Sequence, residues 1–501
     1  MSSDPIAEFF VSNEKDWEAD WATALRFLPP AGVKTVENGI CLPLRYDGTA
    51  GLFRHVFLGG CCDSNGVFVA GHSRHADGRP ENLTCTAAYP VDGEEIPFRD
   101  EEVVFGGMMI GHWGHLLTDS TARLWYPVLH PEAKTKIVFL DCLLREFAAK
   151  RDWRPLMELA GIDPARIEIL ERPTRFRRIV VPDQAVYSLD AVRPEWILFF
   201  DAVRANAEPS AFRKVYFSRT RFSKGDTFNE DLFESYWREL GFHVVHPEEC
   251  SVKEEISLLA GADELVATIG TLSHNFLFAK DGARATVLLR TGKILRLQLL
   301  IGAARRLRTA YVEACRNVLP THHFNGVYFL SPTSRFHRFL ETNRLPSFGE
   351  SRALAPLDPA RIRRYVEKWF ETFSPRPDPF AHSPSDEKRA RGKLATVAAV
   401  LADGADRCRL IDAIASFVDS ELKRAAAIET LRSTLAKTRD KLERAQSGLA
   451  EARKRSAETK RKLGDADRAL NRMWRRTLRG RIHALLLRLR IVRPAPASER
   501  P

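Results

Sequence analysis

From residue 103 to residue 289 the chain alternates short, strongly apolar runs with helical stretches, and it does so in two rounds. The first round holds runs at 103–105 (VVF), 136–140 (KIVFL), 167–170 and 179–181; the second holds 215–217 (VYF), 244–245, 265–269 (LVATI) and 285–289 (ATVLL). Runs without polar alternation suit strands covered on both faces, and such strands are usually parallel and joined by helices. The spacing therefore predicts two α/β units with parallel sheets. In open sheets of this kind ligands bind at the carboxyl ends of the strands.

The punctuation sets the domain boundaries. Residues 1–30 read as a mixed helical preamble, and 33–100 as short strands broken by turn dipeptides such as Asp47-Gly48 and Asn65-Gly66. Gly59, Gly60, Cys61 and Cys62 read as a tightly packed corner. We expect an N-terminal β-rich segment with a Rossmann-like domain over 1–195, and a second Rossmann-like domain with a closing helix over 196–373. A linker and helix over 374–420 follow, starting from the alternating prolines Pro375, Pro377 and Pro379. The remainder is expected to be a coiled coil over 421–473 and a basic amphipathic tail over 474–501.

The coiled-coil expectation rests on seven heptads. Ile428, Leu435, Leu442, Leu449, Ser456, Leu463 and Leu470 fall at one core position, and Leu431, Thr438, Ala445, Ala452, Thr459, Ala466 and Met473 at the other. A homo-oligomer is the expected consequence; the alternative is a long solvated single helix. Beyond it, 468–493 carries nine arginines and no acid, interleaved with leucines, a pattern suited to an anionic membrane surface or else to an arginine-rich coiled-coil end that binds a partner protein. Residues 388–501 hold 29 Lys/Arg against 13 Asp/Glu, so the preceding residues carry a net −5 of the whole-chain +11. The basic charge belongs to the tail and gives the body no nucleic-acid footprint. The eight cysteines lack zinc spacing and read as reduced and buried. With no signal-type N-terminus and no run of 18 apolar residues, the expected location is the cytoplasm, peripheral to a membrane.

Three clusters carry chemistry. In GHWGHLLTDSTARLW, His115, Asp119 and Arg123 fall at i, i+4 and i+8 of an expected helix over 112–127, with His112 beside them. An imidazole, a carboxylate and a guanidinium on one face suit a reaction centre, or else a capped helix with an ordinary Asp–Arg pair. In YFSRTRFSKGD, Arg219, Arg221 and Lys224 follow a strand and suit a diphosphate, or else form a solvated basic loop. In Gly270-Thr271-Leu272-Ser273-His274-Asn275, small polar residues open a helix after a buried strand, which suits an anion or a plain N-cap by Ser273. The only Asp-x-Asp is Asp465–Asp467 in the tail, so the body lacks the paired carboxylates of a metal–phosphate site. No phosphate-binding P-loop, dinucleotide fingerprint or hydrolase elbow is present.

These clusters, in this order, resemble glycosyltransferase family 61, the capsular polysaccharide biosynthesis group. Gly114, His115, Asp119, Arg123 and Leu124 match its G-H-x-x-x-[DE]-x-x-x-R-L signature. VYFSRTR at 215–221 resembles its strand-S-R segment, Asn229-Glu230 its Asn-Glu, Gly241-Phe242 and Pro247-Glu248 its later pairs, and GTLSHNFLF at 270–278 its final element. The resemblance spans about 35–345 and leaves out the tail. His112 precedes the motif by a short step, and the Asp and Arg offsets favour His115 as the family histidine.

The resemblance implies a GT-B-like architecture, two Rossmann-like domains facing a cleft, to which this chain adds a C-terminal helical coiled coil. It implies inverting, metal-free sugar transfer from a nucleotide sugar to a glycan or lipid-linked glycan, in surface polysaccharide or lipopolysaccharide synthesis, with no cofactor beyond the donor. Asp119 is then the expected base, with His115 the close alternative and Arg123 and His112 in support. Arg219, Arg221, Lys224, Gly270, Thr271, Ser273, His274 and Asn275 are the expected donor contacts. The competing expectations are an inactive assembly protein on the same fold and a polysaccharide pyruvyl transferase.

Overall fold

A computed structural model describes residues 6–24, 26–47, 55–79, 81–91, 95–142, 151–222, 226–321, 326–373 and 407–488. The chain divides into two units, Met1–Ala425 and Ala426–Pro501.

The first unit is a mixed α/β body built on two large sheets. One has six strands, in the order Ile6–Phe10, Arg308–Glu313, Arg284–Leu289, Glu264–Thr268, Lys214–Phe217, His243–Val245, and every neighbouring pair is parallel. The other has nine strands. Its parallel half runs Ile167–Leu170, Lys136–Asp141, Phe98–Met109, Thr174–Pro182. Its antiparallel half continues through Ile40–Tyr46, Val56–Cys62 and Phe68–Ala70, and two further strands join at the side, Val33–Glu37 on Thr174–Pro182 and Thr84–Ala87 on Val56–Cys62. The two rounds of apolar runs thus correspond to the parallel parts of the two sheets. Lys136–Asp141, Glu264–Thr268 and Arg284–Leu289 are mostly buried, as runs without alternation require, whereas Ile167–Leu170 and His243–Val245 are only partly so.

Three features depart from the sequence expectation. The preamble is not only helical: Glu14–Ala24 is a helix, but Ile6–Phe10 before it is the edge strand of the six-stranded sheet. The strand expected at 103–105 runs from Phe98 to Met109, through Gly106 and Gly107, with a bulge between Phe105 and Gly107 against its neighbour. The helix expected over 112–127 is broken. It comprises an α turn (Trp113–His115), a π turn (Leu116–Ser120) and, after an interruption, the helix Trp125–Leu129.

The sheets do not stand apart. Val104, Ile137 and Phe139 of one share a contiguous apolar core with Val215, Leu265 and Val287 of the other, joined by Trp196, Phe199 and Phe200 of the helix Trp196–Ala205. A further cluster sets Ile362, Tyr365, Val366, Trp369 and Phe370 of the helix Pro359–Phe373 against Val418 and Leu422. The latter two belong to the start of an 82-residue helix, Arg407–Arg488. Of the linker and helix expected over 374–420, residues 374–406 lie outside the described residues, as does the end of the tail, 489–501.

The second unit is the continuation of that helix. Ile428, Leu431, Leu435, Leu442, Leu449, Leu463, Leu470 and Met473 are all exposed along it. Ion pairs one turn apart, Arg439–Glu443, Arg455–Glu451 and Lys462–Glu458, line its flanks. No helix among the described residues is long and apolar enough to cross a membrane.

Candidate active site

The strand Phe98–Met109 delivers the chain to the α turn at Trp113, and the π turn that follows sets the geometry. Within it the Thr121 amide donates to the Leu116 carbonyl at 3.2 Å, an i→i+5 bond. Such a bond inserts the equivalent of one extra residue into the turn and is often found at functional sites. His115 and Asp119 still share a face, with His115 Nδ1 2.9 Å from Asp119 Oδ2. Arg123, beyond the π turn, leaves that face. Its Nε donates to the Pro182 carbonyl at 3.0 Å, and its guanidinium lies 5.4 Å from the centre of the Phe105 ring. Burial lowers its pKa to about 10. Arg123 thus supports the packing behind the site and does not hold the carboxylate.

The residues around Asp119 come from elsewhere. His72 Nε2 lies 3.3 Å from Oδ1, and the Ser188 hydroxyl donates to the same oxygen at 3.0 Å. The Thr118 hydroxyl donates to Oδ2 at 2.8 Å. Arg74 Nε is 3.7 Å from Oδ1 and donates to Ser188 Oγ at 3.0 Å. Burial by itself would raise the Asp119 pKa. The hydrogen bonds from His115 and His72, with the Arg74 charge, outweigh it and hold the carboxyl well below its usual range. An ionised carboxylate only accepts hydrogen bonds, so His115 carries its proton on Nδ1 and His72 on Nε2. The Asp119 side chain is 1% exposed and that of His115 24%. The group that meets solvent is the imidazole. His112, also exposed, sits with its ring centre 5.4 Å from that of His115.

Gly114 brings this centre against the six-stranded sheet. A Cβ there would lie 3.1 Å from Thr271 Oγ1 and 3.2 Å from His274 Nδ1, so only glycine allows the approach without displacement. His274 is 8% exposed, and neither ring nitrogen has a hydrogen-bond partner. Burial, with the nearby His115 and His112, lowers its pKa to about 3, so it stays neutral. A polar ring held neutral and unpartnered beside a solvent-facing histidine is available to a ligand's hydroxyl groups.

Neighbouring residues have structural duties. The Ser273 hydroxyl is taken up by Gly270 and by Gln298 Oε1, at 2.7 Å. Asn275 accepts from Trp113 Nε1 at 2.8 Å and donates to Glu255. Glu255 in turn is bound by Arg151, whose guanidinium lies over the Trp113 ring. The helix expected to open at Ser273 is a single turn, Thr271–His274, followed by a 3₁₀ turn, Asn275–Phe278.

The cations at the strand ends divide in the same way. Arg219 is nearly buried, lies over Phe222, and has its ion-pair partner Asp226 at 3.7 Å, beyond hydrogen-bond distance. Its Nε has no partner. Arg221 points into solvent, 58% exposed, and pairs with Glu249. Lys224 lies outside the described residues. The second buried cation is Arg290, just past the strand Arg284–Leu289. It donates to the Ile269 carbonyl at 3.1 Å, lies over Tyr328, and has Nη2 2.9 Å from where a Gly270 Cβ would be. Burial and the Arg290 charge lower the Arg219 pKa. Beneath Arg219, burial raises the Glu230 carboxyl to about 7, even though its Oε1 accepts the Arg219 amide at 2.9 Å. Two largely buried arginines, near enough for the charge of one to lower the pKa of the other, suit an anion bound beside them.

Residues 113–287 match the profile of the family described as Glycosyltransferase 61. This segment is a glycosyltransferase family 61 domain. The protein is accordingly a glycosyltransferase-class enzyme. No curated protein matches the chain. The glycosyltransferase 61 segment contains His115, Asp119, Arg219 and His274, whereas His72, Arg74 and Arg290 lie outside it. Sequence reasoning missed those three. The available signals were a His-x-Arg in the small-residue loop GHSRH and an arginine directly after the buried run ATVLL.

Among the described residues no group of three or more His, Cys, Asp or Glu is arranged to hold a metal ion.

Proposed function

We propose that the protein moves a sugar from a nucleotide-sugar donor to a glycan or lipid-linked glycan acceptor, with inversion and without a metal ion. The observation that carries this reading is one juxtaposition. Gly114, next to the His115–Asp119 pair, abuts Thr271 and His274 at the carboxyl end of a parallel sheet whose strand ends also hold Arg219 and Arg290. In this reading the two sheets are the halves of a GT-B-like enzyme, the nine-stranded side receiving the acceptor and the six-stranded side the donor.

His115 is the base. Its Nδ1 proton is held by Asp119, so Nε2 is the nitrogen that accepts the proton of the acceptor hydroxyl. The acceptor oxygen forms its bond to the anomeric carbon as the bond from that carbon to the diphosphate breaks. Arg219 and Arg290 take the charge that develops on the leaving diphosphate. His274 hydrogen-bonds the transferred sugar. Asp119 acts through His115, because its own basicity is suppressed.

The exposed leucine seam of the long helix supports association between copies of the chain, and the arginine-rich residues after it support attachment to an anionic membrane on the cytoplasmic side. Both suit synthesis of surface polysaccharide or lipopolysaccharide. A melting-shift screen of nucleotide sugars, free nucleoside diphosphates and phosphoenolpyruvate tests the reading. Stabilisation by a nucleotide sugar is expected. A shift with phosphoenolpyruvate alone would replace sugar transfer with pyruvyl transfer.

A further inference from the structure

We propose that His72 is a positioning residue of the reaction centre, fixing the Asp119 carboxylate so that His115 keeps its proton on Nδ1. The inference rests on the reading of His115 as the base. It extends the working centre into a segment that the glycosyltransferase 61 match does not reach.

The backbone already holds His72 in place. Its amide donates to the Cys85 carbonyl at 2.9 Å and its carbonyl accepts the Cys85 amide at 2.8 Å. The next residues are stapled to the chain around Asp119's other partner, Ser188. The Ser73 amide donates to Gln184 Oε1 at 3.1 Å, Arg74 Nε to Ser188 Oγ at 3.0 Å, and the Leu189 amide to the Arg74 carbonyl at 3.0 Å. His72 is therefore presented to Asp119 by a clamped segment.

The contact itself is asymmetric. His72 Nε2 faces Asp119 Oδ1 at 3.3 Å, while His72 Nδ1 is buried with no partner. A ring in that position is neutral, with its proton on Nε2. Burial lowers its pKa in the same sense, against the opposing pull of Asp119. The charged and titratable groups around the pair are Arg74 beside His72, Arg123 beyond the π turn, His115 and His112 on the α turn, and His274 from the other sheet. Among them His72 is the second imidazole on the carboxylate. It sits at Oδ1 while His115 sits at Oδ2, so the two rings fix the plane of the carboxylate from both sides. A carboxylate held this way dictates which nitrogen of the reacting imidazole carries the proton.

The test uses the full chain labelled with ¹⁵N-histidine. The imidazole nitrogen shifts of His115 report its tautomer, and kinetics with the donor found by melting shift report turnover. In His72→Leu, His115 is expected to show mixed tautomers, and kcat to fall about tenfold with donor KM unchanged, a partial loss of a base's contribution. His72→Gln, whose amide N–H can stand near the imidazole Nε2, is expected to restore a single tautomer and most of the turnover. If His72→Leu does not fold, His72→Asn, polar but too short to reach Oδ1, should show the same tautomer mixing. A single Nδ1–H tautomer with unchanged kcat in the folded Leu or Asn variant would overturn the proposal. Failure of the base assignment reads out separately, as full turnover in His115→Gln, because the tautomer signal does not depend on activity.

Discussion

Trp113 Nε1 donates to Asn275 Oδ1 at 2.8 Å, and that bond ties the turn carrying His115 to the turn carrying His274. Asn275 also holds Glu255, which Arg151 neutralises from its place over the Trp113 ring. The four side chains form a closed loop across the junction of the two sheets. Asn275→Ala leaves a buried carboxylate oxygen and the indole N–H without partners. We expect a loss of about 1–3 kcal/mol in urea unfolding, and a smaller loss of about 1 kcal/mol for Trp113→Phe. Because the residues share one network, the double variant should lose less than the two single losses combined.

His115→Gln should lower kcat by roughly 10²–10⁴-fold with little change in melting temperature, since the ring is partly exposed. Asp119→Asn should also lower kcat, and in addition should destabilise the fold by about 3–5 kcal/mol, because it removes the charge that four donors surround. The pH dependence separates the two roles. Asp119 has a depressed pKa in the fold, so its contribution is fully present above the unfolded carboxyl value of about 3.9 and is lost as pH falls toward the folded value. Unfolding curves collected from pH 6 down to pH 3 should show this loss in the wild type and not in Asp119→Asn.

His274 gives an acid sensitivity at higher pH. Its folded pKa is about 3, against about 6.5 when unfolded, so the unfolded chain binds more protons between those values and stability rises with pH across that window. Acidifying from pH 6.5 to pH 5 should cost about 2 kcal/mol through this residue. His274→Gln should remove that slope. An equally steep slope in the variant would show that His274 is not held neutral in the fold.

Arg219 and Arg290 should be needed for diphosphate binding, and Arg221 should not. Arg219→Ala and Arg290→Ala are each expected to weaken binding of a nucleoside diphosphate by about 1.5–3 kcal/mol, measured by calorimetry. Arg221→Ala, which gives up only an exposed pair with Glu249, should change it by less than about 1 kcal/mol.

Two truncations distinguish the body from the tail. Ending the chain after Ala425 keeps Val418 and Leu422 on the helix Pro359–Phe373. Ending it before Ser374 strips them away and exposes Trp369 and Phe370. Each buried aliphatic side chain stabilises by about 1.5–3 kcal/mol, so the shorter chain should melt distinctly lower than the longer one. Light scattering on the full chain and on the chain ending at Ala425 should show the larger mass only with the tail, if the leucine seam joins copies.

The parallel sheets were legible in the sequence because strands covered on both faces cannot hide their apolar runs. Residues 136–140 and 285–289 stand out on inspection, and both are strands. The edge strand Ile6–Phe10 did not stand out, because its partner lies near residue 310 and nothing local requires the pairing. At the site, the His115–Asp119 pair followed from i,i+4 spacing. The fate of Arg123 did not, since a π turn has no distinct residue signature and rotates everything after it. His72 and Arg74 reach Asp119 only through tertiary folding, which spacing along one element cannot reveal. Arg219 and Arg221 looked alike in sequence. A neighbouring Glu249 draws one to the surface while the Tyr216–Glu230 floor holds the other inside.

The strand Ile6–Phe10 has a consequence for synthesis. It pairs with Arg308–Val312, and Ser12 just after it hydrogen-bonds Glu313, 301 positions away. A ribosome adding about 5–20 residues per second leaves Ile6–Phe10 waiting on the order of 15–60 s for its neighbour. Meanwhile its apolar residues Phe9 and Phe10 have no sheet to join. The six-stranded sheet is therefore sealed by a strand made about 300 residues before its neighbour. A chaperone acting on this protein would find a target in Phe9 and Phe10 until Arg308–Val312 has been made.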